Sequence, residues 1–268
     1  MSPELLNSFD QFGFLHLRGF LADRIDAVIA AFEEVWQRQG GGHFGKAHDG
    51  KARSCVVPFI DQSDELSSLL DDPRITDLVG SILGDDFTYL GSDGNYYVGE
   101  TPWHRDGFHR GMRFIKIAIY LDKLDGSSGA LRVIPGSHRL DDVYGKGLAD
   151  VIATMPGAQV PAVVVDSTPG DIAVFDHNLY HASFNGGTRR RMFTLNLCQR
   201  WPEARLPELQ EYIATHARFW IERNVGPRML ATATPQRMRH LQQAMENDFL
   251  LTERTRKMKA EMSEPSRG

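Results

Sequence analysis

The chain has 268 residues, 41% hydrophobic and 24% charged, with a net charge of −5 and a pI near 6.1. These figures describe an ordinary folded chain, long enough to bury a sizeable core, and give nucleic-acid binding no compositional support. No segment approaches the roughly 18 uninterrupted apolar residues of a spanning helix, so no membrane is expected as a partner.

The N-terminus, M-S-P-E-L-L-N-S-F-D, lacks the positive region and apolar run of a secretory signal. Cys55 and Cys198 are too few for a disulfide framework and read as reduced thiols, which suits a cytoplasmic protein. The stretch F-G-F-L-H-L-R-G-F predicts a short strand ending in a turn. From Leu21 to Gln39 apolar residues stand at 21, 25, 28, 29, 32, 35 and 36, which is helical spacing, and Gly40-Gly41-Gly42 ends it. Residues 40–55, rich in glycine and carrying His43, Lys46, His48 and Arg53, read as a mobile loop. A second helix is expected from Pro73 to Leu83, closed by Gly84.

Between Phe87 and Gln199 the pattern changes to short apolar runs separated by Gly, Pro, Asn and Asp: F-T-Y-L, N-Y-Y-V, R-F-I-K-I-A-I-Y-L, A-L-R-V-I, A-V-V-V, D-I-A-V-F and M-F-T-L-N-L. Such spacing suggests an all-β sandwich or barrel. Helical patterns return from Leu206 to Asn224 and from Pro235 to about Met258, followed by the polar tail S-E-P-S-R-G. The layout is a helical part over about 1–86, a β-core over about 87–200 and helices over about 206–258. We read it as a mainly β single domain, 1–268, with flanking helices.

Two motifs are decoys. H-R-D at 104–106 opens a kinase catalytic loop, but Gly111 stands where the metal-binding Asn belongs and no D-F-G follows. G-G-G-H-F-G-K-A at 40–47 has the spacing of a phosphate-binding loop, yet Ala47 replaces its Ser/Thr and it follows a helix rather than a strand.

A metal reading fits His104 and Asp106 better. Residues two apart on a strand share a face, so an imidazole and a carboxylate project together into the β-core. A third ligand comes from P-G-D-I-A-V-F-D-H-N-L-Y-H-A-S-F-N, where His181 follows the strand Asp171–Phe175. His177 is the alternative; following directly on Asp176, it is expected at the strand end near solvent. Two histidines and one carboxylate leave open positions on an octahedral ion, which suits Fe(II) with a co-substrate and O2.

In T-R-R-R-M-F-T-L-N-L, alternation puts Arg190, Met192, Thr194 and Asn196 on one face and Arg191, Phe193, Leu195 and Leu197 on the other. Arg190 lies on the polar face that would wall a wet site. Fe(II) with one aspartate carries one positive charge, and a dianionic 2-oxoglutarate makes the sum −1. A buried arginine fork restores neutrality and pairs with the distal carboxylate. Ser183, two residues after His181, can add a hydrogen bond. Lys116, amid the apolar run R-F-I-K-I-A-I-Y-L, is either a strand-edge lysine or an inward charge for the co-substrate or an anionic substrate. Tyr97 and Asn95 are candidates for the same pocket, Phe108, His109 and Arg110 for its mouth, and Trp103 for outward packing.

With these residues in place, the chain resembles the phytanoyl-CoA dioxygenase family of Fe(II)/2-oxoglutarate-dependent oxygenases. The marks are H-R-D (104–106), G-A-L-R-V-I-P-G-S-H (129–138) and P-G-D-I-A-V-F with His181 and Arg190. F-D-Q-F-G-F-L-H-L-R-G-F-L is also typical of the family's N-terminus, and the resemblance covers roughly residues 9–200. It implies a double-stranded β-helix, the jelly-roll of cupins, with His104, Asp106 and His181 on iron and 2-oxoglutarate and O2 as co-substrates. The family decarboxylates 2-oxoglutarate to succinate while oxidising a small-molecule C–H bond. Related halogenases carry Gly or Ala in place of the carboxylate ligand, so Asp106 argues for hydroxylation, desaturation or cyclisation. His138 of P-G-S-H is a structural turn residue in the family.

One departure concerns the co-substrate arginine, which in the family often lies about eleven residues after the distal histidine, where this chain has Met192. Arg190 is assigned by strand phase, and Arg189 and Arg191 stay open. Two other readings are a jelly-roll that binds or senses a ligand without catalysis, and a metal oxygenase that uses no 2-oxo acid. The first predicts a missing triad member; the second leaves Arg190 without a purpose. Monomer and homodimer are both compatible with the sequence.

Overall fold

The apolar runs of the sequence form eleven strands: β1 (Phe14–Leu17), β2 (Ser54–Val56), β3 (Thr88–Gly91), β4 (Gly94–Tyr97), β5 (Thr101–His104), β6 (Phe114–Tyr120), β7 (Leu131–Val133), β8 (Val163–Val165), β9 (Ile172–Asp176), β10 (His181–Ser183) and β11 (Arg190–Cys198). The computed structural model describes residues 1–268, apart from the side chains of Val143 and Lys146. The chain divides into two compact units, each assembled from separated segments. One holds Met1–Ile25, Gly50–Ala52 and Tyr97–Met192, the other Asp26–Asp49, Arg53–Tyr96 and Phe193–Gly268.

The first unit has two antiparallel layers. In one, β9 lies between β1 and β6, with Phe14 opposite Phe175 and Lys116 also opposite Phe175. The start of β11 borders it, the Leu121 N–H donating to the Arg191 carbonyl at 3.0 Å. The other layer runs β5-β10-β7-β8. The chain alternates between layers, so sequence neighbours such as β6 and β7 fall in different sheets, as in a jelly-roll. Their inner faces share one apolar core: Ala118, Tyr120, Ala173, Phe175 and Met192 from one layer meet Leu131, Val133 and Val165 from the other.

A helix over Pro3–Phe12 precedes β1. The Ser2 side chain accepts from the Leu5 N–H, Pro3 fills the first turn and Gly13 at φ 78° ends it. The S-P-E stretch carries that capping signature in its sequence. The next helix covers Ile25–Arg38, shorter than the expected Leu21–Gln39. Leu21 belongs instead to the turn after β1, its N–H donating to the Gly170 carbonyl.

The second unit is built on aromatic packing. Trp36 stacks on Tyr96 with centroids 4.2 Å apart, Phe32 meets Phe59 at 5.1 Å, and Phe59 meets Phe193 at 5.8 Å. Asp72 caps the helix Pro73–Leu83, which ends at Gly84 as its sequence predicts. The expected C-terminal helices are interrupted. Leu206–Ala214 passes into a 3-10 turn, and Pro235–Glu246 is separated from Leu251–Glu261 by Asn247 and Asp248, whose side chains bond to neighbouring segments. The 40–55 loop is fixed at His43, buried with its ring on the Cys55 and Pro265 carbonyls. The polar tail is also held, Ser266 donating to the Arg218 carbonyl and Arg267 to that of Arg53. Cys55 and Cys198 are free buried thiols. Among the described residues no helix is long and apolar enough to cross a membrane.

Candidate metal centre

His104 and His181 face each other across β5 and β10 as a direct cross-strand pair, their ring centroids 4.2 Å apart. Opposed residues of an antiparallel pair bring their side chains closest, which is why two histidines so far apart in sequence meet. Each ring is oriented the same way. His104 Nδ1 lies 2.8 Å from the Pro102 carbonyl and His181 Nδ1 lies 3.0 Å from the Leu179 carbonyl, in each case two residues upstream. A carbonyl only accepts, so both Nδ1 atoms carry the proton and both Nε2 lone pairs are left for another partner.

That partner position lies beside Asp106. Its Oδ1 is 3.8 Å from His104 Nε2 and 3.7 Å from His181 Nε2, too far for hydrogen bonds. Adjacent ligands on an ion at about 2.1 Å stand roughly 3 Å apart, so a small contraction would close the three atoms on a cation. Among the described residues these three form the group of metal-ligating side chains, all ligand atoms lying within 4.8 Å of one another. The donor set, two imidazoles and one carboxylate on one side, fits a metal with open positions opposite.

Asp106 reaches this place differently from the expected strand alternation. β5 ends at His104, and Asp106 sits in the bend beyond. The bend is held because the Asp106 and Gly107 N–H groups both donate to the His177 carbonyl, at 2.9 and 3.2 Å. His177 itself is a correction: expected near solvent, it is only 2% exposed, since its ring packs among His109 and Phe114. Neither of its ring nitrogens has a hydrogen-bond partner.

Burial shifts the titrations in this region. It lowers His181 to about 4 and His177 to about 3, keeping both imidazoles neutral at neutral pH, the form that ligates metals. For Asp106 burial raises the pKa, but the Lys116 ammonium, with His181 and His177, more than reverses this and holds the carboxyl far below its usual range. Lys116 Nζ is 2.8 Å from Asp106 Oδ2, with 17% and 15% of the two side chains exposed.

The three consecutive arginines separate by environment. Arg189 is exposed, and Arg191 is paired with Asp122, Nε and Nη2 lying 2.9 and 2.6 Å from Oδ1. Arg190 is 6% exposed and meets no carboxylate among the described residues. Its Nη1 and Nη2 donate to the Gly129 and Gly99 carbonyls at 2.7 Å each, its Cζ stands 5.5 Å from the Tyr97 ring, and its Nε has no partner. Gly129 and Gly186 must be glycine here, because a Cβ on either would lie 2.6–2.8 Å from Arg190 side-chain atoms. Burial lowers the Arg190 pKa below the ordinary arginine range, the signature of a charge with too little compensation. Ser183 is buried on β10, two residues from His181 and on the same face.

Other expected residues go elsewhere. Asn95 is committed to Arg53 and Asp93 at 2.9 and 2.6 Å. Trp103 donates from Nε1 to the Gly157 carbonyl and packs in a small cluster with Ile134, Leu148 and Val160. His138 bonds the Asp10 carbonyl, and Arg110 pairs with Asp141. Phe108 is 73% exposed. Sequence reasoning misses Tyr120, buried in the inner core within electrostatic reach of Tyr97, Arg190 and Lys116. It shares a strand face with Lys116, so the period-two rule that selects Arg190 would have found it.

Comparison with known proteins gives a family and a fold. The family model of phytanoyl-CoA dioxygenase (PhyH) matches residues 9–192. The ectoine dioxygenase of Sphingopyxis alaskensis is 30% identical over 151 residues, 46% of this chain; the match spans about half the length (49%) of that curated relative. Among solved structures, EctD from S. alaskensis in its apoform is 26% identical with a TM-score of 0.59, over 74% of this chain and 77% of that one. The non-heme alpha ketoglutarate dependent carbocyclase SnoK from nogalamycin biosynthesis aligns with a TM-score of 0.60 and 23% identity, over 74% and 84% of the chains, a likeness of fold. The chain thus belongs to the phytanoyl-CoA dioxygenase family, the jelly-roll oxygenases that use iron, 2-oxoglutarate and O2.

Proposed function

We propose that this enzyme couples the oxidative decarboxylation of 2-oxoglutarate to oxidation of a C–H bond in a small, acidic molecule, with hydroxylation as its reaction. His104, Asp106 and His181 hold the iron, and Arg190, with Ser183 and Tyr97, holds the distal carboxylate of 2-oxoglutarate. The observation that carries this reading is the pair of histidines with both Nδ1 atoms tied to carbonyls and both Nε2 atoms facing Asp106 Oδ1.

Each protein group then has a task. The two carbonyls fix the tautomers, so the rings present lone pairs without reorganisation. Arg190 sits in a glycine-lined slot with its Nε unpartnered, preformed for a carboxylate that replaces lost hydration. Iron, once bound, supplies the activation of O2, and the presence of a carboxylate at 106 favours hydroxylation over halogenation. Epimerisation and ring closure are the competing outcomes, since solved relatives of this fold include an epimerase and a carbocyclase.

Acidity of the substrate follows from charge. With Lys116 counted beside Asp106, a divalent ion, dianionic 2-oxoglutarate and Arg190, the buried group keeps one net positive charge. An anionic group on the substrate would offset it. We also propose that residues 1–268 act as one domain, because the chain passes repeatedly between the two units and β11 contributes to both.

The test is an anaerobic titration of Fe(II) with 2-oxoglutarate, read by the visible charge-transfer band of the chelate. The band is expected in the wild type, absent in His181→Ala and weakened in Arg190→Ala. No band at millimolar co-substrate would overturn the assignment. With the band in hand, 2-oxoglutarate turnover with acidic and matched neutral candidates tests the substrate class.

A further inference from the structure

Lys116 is an unusual resident of β6. Its neighbours Ile115 and Ile117 are fully buried, and its own side chain is only 17% exposed. A buried ammonium costs several kcal/mol unless it is paired, so its partner identifies its task. That partner is Asp106 Oδ2 at 2.8 Å, while Asp106 Oδ1 is the oxygen that faces both histidines.

The two oxygens of Asp106 are therefore assigned to different partners. A free carboxylate binds a cation through one oxygen or both. Here the ammonium holds the outer oxygen, and the Asp106 and Gly107 N–H groups anchor the bend on the His177 carbonyl. Phe175 limits the other side of the lysine, its ring centroid 6.0 Å from Nζ and 4.7 Å from the His181 ring. We propose that Lys116 is a positioning residue that makes Asp106 a one-oxygen ligand, keeping a coordination position free that a two-oxygen aspartate would occupy. This inference rests on the triad reading given above.

Two measurements test it, neither of which depends on turnover. The first is an anaerobic crystal structure of the wild type loaded with Co(II), with and without 2-oxoglutarate. The expected result is Co(II) on His104, His181 and Asp106 Oδ1, with Lys116 Nζ still ion-paired with Oδ2. Lys116 turned away from Asp106, or Asp106 binding through both oxygens beside an intact Lys116, overturns the inference while leaving the triad standing. Co(II) located elsewhere overturns both.

The second is the Co(II) absorption spectrum of the loaded protein for Lys116→Met and Lys116→Arg, with thermal melts to show folding. Methionine keeps much of the buried stem's volume and removes the charge. The ligand-field bands are expected to shift in Lys116→Met and to stay near wild type in Lys116→Arg. Metal affinity is not the readout, because losing a cation beside a cation site tightens binding while losing the aspartate's orientation loosens it. A Lys116→Met spectrum identical to wild type, with weakened 2-oxoglutarate binding alone, would place Lys116 on the co-substrate and overturn the inference.

Discussion

In the second unit buried polar side chains meet one another. Asp61 accepts from the Gly226 N–H at 2.7 Å and the Tyr89 hydroxyl at 3.0 Å, and Gln243 joins Thr88 to both backbone groups of Trp201. Arg237 pairs with Asp71. Side-chain atoms left without a hydrogen bond there include the indole N–H groups of Trp36 and Trp220 and the Asn224 amide nitrogen, none of them ionisable. In the first unit, apart from the Ser167 hydroxyl, the corresponding atoms belong to ionisable side chains, among them both ring nitrogens of His177, Asp106 Oδ2 and the Nε atoms of Arg190 and Arg105. Burying an unpaired charge such as that of Arg190 costs far more than burying an unpaired indole, so it persists where something else offsets it. The contrast separates a region packed for stability from one arranged to receive charged ligands.

The sharpest way to break the comparison is at the triad. Asp106→Gly should reduce hydroxylation below detection and remove the Fe(II)–2-oxoglutarate band, and, because it strips the Lys116 ammonium of its buried partner, it should also lower the melting temperature while keeping one cooperative transition. Unimpaired product formation would sink the triad. Next in size is Arg190→Ala. Removing one member of a buried charged pair costs about 2–5 kcal/mol, so the KM for 2-oxoglutarate should rise at least about 30-fold. The control is Arg191→Ala, whose guanidinium is held by Asp122; its KM for 2-oxoglutarate should be unchanged. Equal effects of the two would mean that Arg190 has no special role.

Predictions in the second unit should move stability and leave activity per folded molecule alone. Gln243→Ala removes hydrogen bonds to Thr88 and Trp201, with an expected loss on the order of 3 kcal/mol by chemical denaturation. The smallest effect is a pH dependence. Burial raises Asp61 from an ordinary 3.8 to about 6, against the pull of Gly226, Tyr89 and Arg237. A carboxyl raised on folding contributes its stability below the unfolded value and loses it as pH climbs through the folded one. The wild type should therefore lose on the order of 2 kcal/mol relative to Asp61→Asn between pH 4 and pH 7. Asp176, raised to about 6 by burial, titrates in both proteins, so the difference isolates Asp61. Parallel curves would show that Asp61 does not carry the effect.

Local order explains much of what was legible. The helix Pro73–Leu83 announces itself through Asp72, Pro73 and Gly84, and strand alternation alone separates the environments of Arg190 and Arg191. His177 shows the limit. Its position after a strand pointed to solvent, yet a neighbouring strand and the 109–114 segment cover it. The 40–55 loop and the polar tail fail for the same reason, because the carbonyls that hold them come from segments distant in sequence.

By itself the sequence determined a β-core with flanking helices, since periodicity and turn residues are local properties, and its short motifs carried the family resemblance that implied a jelly-roll with His104, Asp106 and His181 as ligands. Only the tertiary structure decided that His104 and His181 are cross-strand partners with matching tautomers, that Asp106 sits in a bend rather than a strand, and that Lys116 turns to its outer oxygen. Those facts depend on which strands lie side by side, and the layers that bring them together are formed by residues distant from one another in the chain.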